Sequence, residues 1–133
     1  MFEAEKDKYL MKHGFGATRL KAVLFDMDGV LFDSMPNHAY SWSHAMTQFG
    51  LHITPEEAYM HEGRTGGGTI DLLAQRDWGR RATEEEKQTI YKAKSDVFSR
   101  CPEAPRMPGA YELLKKVKAD GFTPMVVTGS GQV

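Results

Sequence analysis

The sequence is poor in several features, and each shortage excludes a class of protein. It has a single cysteine, Cys101, so it can build neither an internal disulfide framework nor a multi-cysteine zinc site. Its longest unbroken apolar run, Ala22-Val23-Leu24-Phe25, is far shorter than the ~20 residues that span a bilayer. Neither sign of charge is in excess, with 17 Lys+Arg against 18 Asp+Glu. A protein that neutralises many nucleic-acid phosphates needs a basic surface, and this one has none in bulk. The opening MFEAEKDKYLMKHG is charged throughout and lacks the apolar centre of a secretory signal. These absences predict a soluble, cytoplasmic protein that binds neither nucleic acid nor membrane. With 41% hydrophobic residues the chain is too apolar to be disordered, and 133 residues allow one domain or one with a small insertion.

The hydrophobic pattern changes period along the chain. Glu3 to Lys12 predicts a short helix, broken by Gly14 and Gly16. Lys21 to Asp26 is a compact apolar run closed by Gly29, which reads as a fully buried strand. From Met35 to Arg100 the pattern is helical. Pro36 opens a helix with Ala39, Trp42, Met46 and Phe49 on one stripe, a stripe better suited to a core than to a ligand box. Thr54-Pro55-Glu56-Glu57 and Thr83-Glu84-Glu85-Glu86 both have the form of a capping box. Between them, Gly63-Arg64-Thr65-Gly66-Gly67-Gly68 predicts a flexible loop leading into a short helix around Ile70 to Ala74. After Pro105, Pro108 starts a helix with Ala110, Leu113, Leu114 and Val117 on one buried face, and Thr123 to Val127 reads as a second buried strand.

The order strand, helical block, helix, strand predicts an α/β fold. Its expected form is an incomplete, Rossmann-like parallel sheet at 1–33 and 105–133, with an α-helical cap at 34–104 inserted after the first strand. In such sheets ligands bind beyond the carboxyl ends of the strands. Asp26 and Thr128 stand at those two ends.

The stretch Asp26-Met27-Asp28-Gly29-Val30-Leu31-Phe32-Asp33-Ser34 carries the most chemical information. Two carboxylates just past a buried strand are costly unless something pairs with them. Asp and Gly also supply ordinary polar turns. An EF-hand loop begins D-x-D as well, but Val30 and Leu31 stand where it needs a further oxygen ligand and a glycine. The nine residues resemble the nucleophile motif of the haloacid dehalogenase-like superfamily, in its sugar-phosphatase and β-phosphoglucomutase subgroup. Val126-Val127-Thr128-Gly129-Ser130 is similar to that family's second motif, and Met107-Pro108-Gly109 to the segment leading into it. The resemblance covers roughly residues 20–133.

That resemblance implies a Mg²⁺-dependent phosphatase acting on a small, sugar-phosphate-like monoester. A carboxylate can attack an anionic phosphoryl group only where a cation relieves the repulsion, and Mg²⁺ suits a site of hard oxygens. Asp26 is the implied nucleophile, forming an aspartyl-phosphate, and Asp28 the acid and then the base; both would touch the metal. Thr128 and Gly129 would bind the transferred phosphoryl oxygens. Arg64, in the Gly-rich loop of the cap, is the candidate for substrate selection, although it also reads as a solvated surface arginine. Gly66 to Gly68 are followed by no Gly-Lys-Ser/Thr, which excludes a P-loop and leaves a hinge or helix entry. His13, His38, His44, His52 and His61 show no metal-ligand spacing and read as surface or partly buried histidines.

The family also needs a lysine and an acidic pair beyond the second motif, whereas the sequence reaches only Val133. The expectation is therefore the N-terminal part of a longer enzyme, poorly soluble and weakly catalytic by itself, because two parallel strands leave an edge and an apolar face uncovered. A phosphomutase of the β-phosphoglucomutase type uses the same residues, and an inactive fragment is a third reading. Thr128-Gly129-Ser130-Gly131 also begins like a dinucleotide-binding fingerprint, but that motif normally follows the first strand of its fold.

Overall fold

The computed structural model describes residues 2–16 and 18–130. Two strands, β1 (Ala22–Phe25) and β2 (Thr123–Val126), pair in parallel, with Phe25 opposite Val126. Six helices accompany them: α1 (Glu3–His13), α2 (Met35–Thr47), α3 (Pro55–Met60), α4 (Gly66–Asp77), α5 (Glu84–Phe98) and α6 (Ala110–Ala119). The fold is α/β with an incomplete sheet, as the element order implied. None of the described helices is long and apolar enough to cross a membrane.

Helices α2 to α5 form a helical block with a core of its own. Ala45, Met46, Leu51, Ile70, Leu73 and Ala74 are fully buried there, and Trp42 and Phe49 pack against them. A second, smaller cluster joins Phe25, Leu31 and Val117 beneath the sheet. The two parts meet through a pair of linkers. Asp33 N–H donates to Pro105 O at 2.8 Å, Met107 N–H donates to Leu31 O at 2.9 Å, and Phe32 bridges Arg106. The Asn37 side chain ties α2 to the second linker by donating to Pro102 O at 2.8 Å.

Several local expectations are corrected by tertiary contacts. The strands are not fully buried: Leu24 is 64% exposed, Val126 56% and Met125 50%. A strand reads as buried because of its own residues, but only a neighbour can bury it, and the described sheet has two members. The same shortage thins the buried face of α6. Val117 is fully buried, Ala110 and Leu114 are half-buried, and Leu113 is exposed. That helix starts at Ala110 rather than Pro108, because Gly109 adopts φ +79°, outside any right-handed helix.

The two capping boxes also part company. At Thr83 both bonds form, Glu86 N–H to Thr83 Oγ1 and Thr83 N–H to Glu86 Oε2. At Thr54 only the first does, because the Glu57 carboxylate is held instead by Arg76 Nη1 at 2.5 Å. Arg76 also grips Asp77 and the His52 carbonyl, strapping α4 to the start of α3. Finally, the glycine-rich loop is shorter than its composition suggests. Thr65 caps α4 by accepting from Gly68 N–H at 3.2 Å, so the three glycines form the first helical turn.

Candidate active site

The parallel register carries both strands to the same rim. Val127 N–H donates to Phe25 O at 2.8 Å, so Asp26 and Thr128 emerge together beyond the last paired residues. They open onto a cleft of about 510 Å³ between the sheet rim and the helical block. Asp26, Asp28, Thr128, Gly129 and Arg64 all line it, so the structure brings together every residue singled out from the sequence. Asp26 is exposed, with Oδ1 accepting from Met27 N–H at 2.7 Å. Thr128 Oγ1 accepts from Ser130 N–H at 3.0 Å, which holds the turn after β2 in shape. The Arg64 guanidinium makes no hydrogen bond or ion pair among the described residues and is free to meet a ligand.

The turn after β1 aims the two carboxylates. Gly29 takes φ +72° and its N–H donates to Phe32 O at 2.8 Å, while Met27 O accepts from Leu31 at 3.0 Å and Phe32 at 3.1 Å. A side chain at Gly29 would be strained by that φ, and its Cβ would lie 3.4 Å from Glu62 Oε1, which reaches over from the helical block.

Asp28 is the focus of a network that the sequence did not reveal. Its Oδ1 accepts from Ser34 Oγ at 2.5 Å and from His38 Nε2 at 3.1 Å, and its Oδ2 accepts from Ser130 Oγ. Lys94 Nζ stands 2.8 Å from His38 Nδ1. An ammonium has only protons to give, so Nδ1 is the acceptor and the ring proton sits on Nε2, facing Asp28. The result is a directed chain from Lys94 through His38 to Asp28. Burial works to raise the Asp28 carboxyl, but the hydroxyls of Ser130 and Ser34, with His38, outweigh it, and the net direction is down. His38 is pushed down by burial and by the Lys94 charge, against the pull of Asp28. Lys94 is only 4% exposed and sits against the faces of Trp42, Tyr91 and Phe98; burial pushes it down to about 8. Glu62 is pushed the other way, upward, by burial and by the charges of Asp26 and Asp28.

One sequence signal pointed to Lys94. With Ile90 and Phe98 it forms an i, i+4, i+8 series, so a cation occupies the apolar stripe of α5. His38 carried a weaker one, lying in the first turn of the helix that follows the two aspartates. It is partly buried, as one of the two sequence readings had it, but with both ring nitrogens engaged. Trp42 serves both the core and the cleft wall.

Tyr91 reaches the cleft because Gly66 lacks a side chain. A Cβ there would lie 2.3 Å from the Tyr91 ring, whereas at Gly67 the nearest neighbour would be Lys87 Cδ at 3.7 Å. Gly66→Ala is therefore expected to destabilise the protein by about 1–3 kcal/mol through overpacking. Gly67→Ala should be neutral or slightly stabilising, since alanine is the better helix former. Urea unfolding of the two variants checks the contrast, and equal midpoints would refute it.

Residues 20–132 match the haloacid dehalogenase-like hydrolase family. The chain belongs to that family. Among its relatives, phosphoglycolate phosphatase from Haemophilus influenzae is 30% identical over 119 residues, covering 84% of this chain and 52% of that protein. A solved structure from Bacteroides vulgatus, provisionally described as a beta-phosphoglucomutase, is 60% identical with a TM-score of 0.88, covering 95% of this chain and 52% of the other. The beta-phosphoglucomutase of Clostridium difficile shares the fold at 21% identity and a TM-score of 0.69, covering 81% and 51%. The chain thus spans about half the length of the relatives it matches. Membership of the family makes this a haloacid dehalogenase-like hydrolase sequence.

Proposed function

We propose that the whole protein hydrolyses a small, sugar-phosphate-like monoester through an aspartyl-phosphate on Asp26. The observation that carries this reading is the pairing of an exposed carboxylate, Asp26, with a second one, Asp28, held by three donors at the same rim. Asp26 attacks phosphorus, an O–P bond forms to its carboxylate, and the ester P–O bond breaks. The bound phosphoryl group's negative charge raises the Asp28 carboxyl against the pull of its donors, so that Oδ2 carries a proton in place of the bond from Ser130 and gives it to the leaving oxygen. Asp28, now ionised and stabilised by Ser34 and His38, removes a proton from the incoming water, whose oxygen attacks phosphorus and frees Asp26. Thr128 and the Gly129 N–H bind the phosphoryl oxygens, and Arg64 meets the substrate from the helical cap, residues 34–104.

Asp26 and Asp28 fit a hard divalent cation such as Mg²⁺. Both are oxygen donors, and their negative charges, which after burial help to raise Glu62, are what such an ion would offset. When bound, Mg²⁺ would reduce the repulsion between phosphoryl oxygens and the attacking carboxylate. Among the described residues no group of three or more His, Cys, Asp or Glu stands as a metal cage.

The likeness to the Bacteroides vulgatus structure favours one second reading, a phosphomutase, in which a sugar hydroxyl rather than water accepts the phosphoryl group. Incubating the whole protein with a sugar monophosphate and Mg²⁺ separates the two. Hydrolysis predicts free phosphate in proportion to substrate lost; isomer formation without phosphate would establish the mutase. Neither product would remove both readings.

A further inference from the structure

Both ring nitrogens of His61 are buried and neither has a hydrogen-bond partner among the described residues. Yet the residue lines the cleft. The 14% of its side chain that remains accessible must therefore be carbon. Buried polar atoms are nearly always paired, and those that are not commonly await a ligand or water. The main chain around His61 is well anchored: its N–H donates to Ala58 O at 3.2 Å and its carbonyl accepts from Arg64 N–H at 3.1 Å. The ring is thus poised at the base of the loop that carries Glu62 and Arg64 into the cleft.

One neighbour decides which nitrogen holds the proton. Glu57 Oε1 stands 3.6 Å from His61 Nε2, just beyond hydrogen-bond distance, and is itself held by Arg76. A carboxylate only accepts, so the proton of a neutral ring belongs on Nε2 and the lone pair on Nδ1. That lone pair lies buried behind the cleft wall, and once turned to the cleft it takes a donor, which neither a phosphoryl oxygen nor an ether can supply. A hydroxyl can.

We propose that His61 is a specificity-determining residue whose Nδ1 accepts a hydrogen bond from a hydroxyl group on the alcohol part of the phosphate ester. The torsion about χ2 of a histidine is soft, and the assignment includes a rotation of the ring that brings the buried Nδ1 to the cleft. This assignment rests on the phosphate-ester reading above and narrows it to polyol or sugar leaving groups.

The test uses the whole protein with Mg²⁺ and two probes of one carbon skeleton, glycerol 3-phosphate and n-propyl phosphate. The quantity read is the ratio of their kcat/KM values, which does not depend on how much of a variant folds. His61→Phe keeps the ring shape without an acceptor, and the ratio should fall about tenfold, the worth of one neutral hydrogen bond. His61→Gln retains an acceptor and should recover part of the loss; His61→Leu gives the same reading should the phenylalanine variant not fold. An unchanged ratio in the variants, or a wild-type ratio at or below one, overturns the assignment and leaves the phosphatase reading in place. Failure of the wild type to release phosphate from either probe removes that reading and this assignment with it.

Discussion

Asp26→Asn is expected to abolish phosphate release by the whole protein, by at least about 10⁴-fold in kcat, without changing its melting temperature. The amide is close to isosteric but is a poor nucleophile towards phosphorus, and removal of the attacking atom costs more than loss of any supporting group. The fold has little reason to notice. Asp26 is exposed, and the one hydrogen bond its side chain makes among the described residues, at 2.7 Å, comes from the adjacent Met27 N–H, which the Asn carbonyl oxygen can still accept. Phosphate release measured against circular-dichroism melting checks both halves. A variant within tenfold of the wild-type rate would mean that some other group attacks, and the covalent scheme would fall.

The second large effect belongs to Lys94. Its ammonium is buried among three aromatic rings and lowered to about 8, so the wild-type rate should decline above that pH. The proton leaving Lys94 removes the positive end of the chain that keeps His38 Nε2–H directed at Asp28. Stability should move oppositely in this window. Between about 8 and the ordinary 10.5 the unfolded chain holds a proton that the folded one has lost, so this group makes folding more favourable as pH rises. Lys94→Met, which keeps an unbranched stem among the rings, should lower kcat/KM by roughly 10²–10³ and erase the alkaline limb. A pH–rate profile of wild type and variant reads both. An alkaline limb that persists in Lys94→Met would assign it elsewhere.

The aspartate–glycine turn was legible because its chemistry is local: within nine residues the chain supplies a strand end, two carboxylates and the glycine that bends between them. The α/β class was legible for a similar reason, since hydrophobic period is written residue by residue. Even the pairing of rims followed, because parallel strands must end on the same side.

What surrounds Asp28 was not written that way. Ser34, His38, Lys94 and Ser130 lie 6 to 102 residues from it in sequence, and only the packing of α5 on α2 and the parallel register bring them within reach. Lys94 looks like a lone cation on an apolar stripe until His38 stands beside it. His61 and Glu62 likewise acquire meaning only where the helical block overhangs the sheet rim. The exposure of Leu24, Met125 and Val126 carries the same lesson in reverse, since apolar composition states what a strand would bury but not whether a neighbour is there to cover it. Local chemistry and periodicity therefore followed from the amino acids alone. Partnership, protonation and burial were settled by the tertiary structure, because each is a property of what lies across space rather than along the chain.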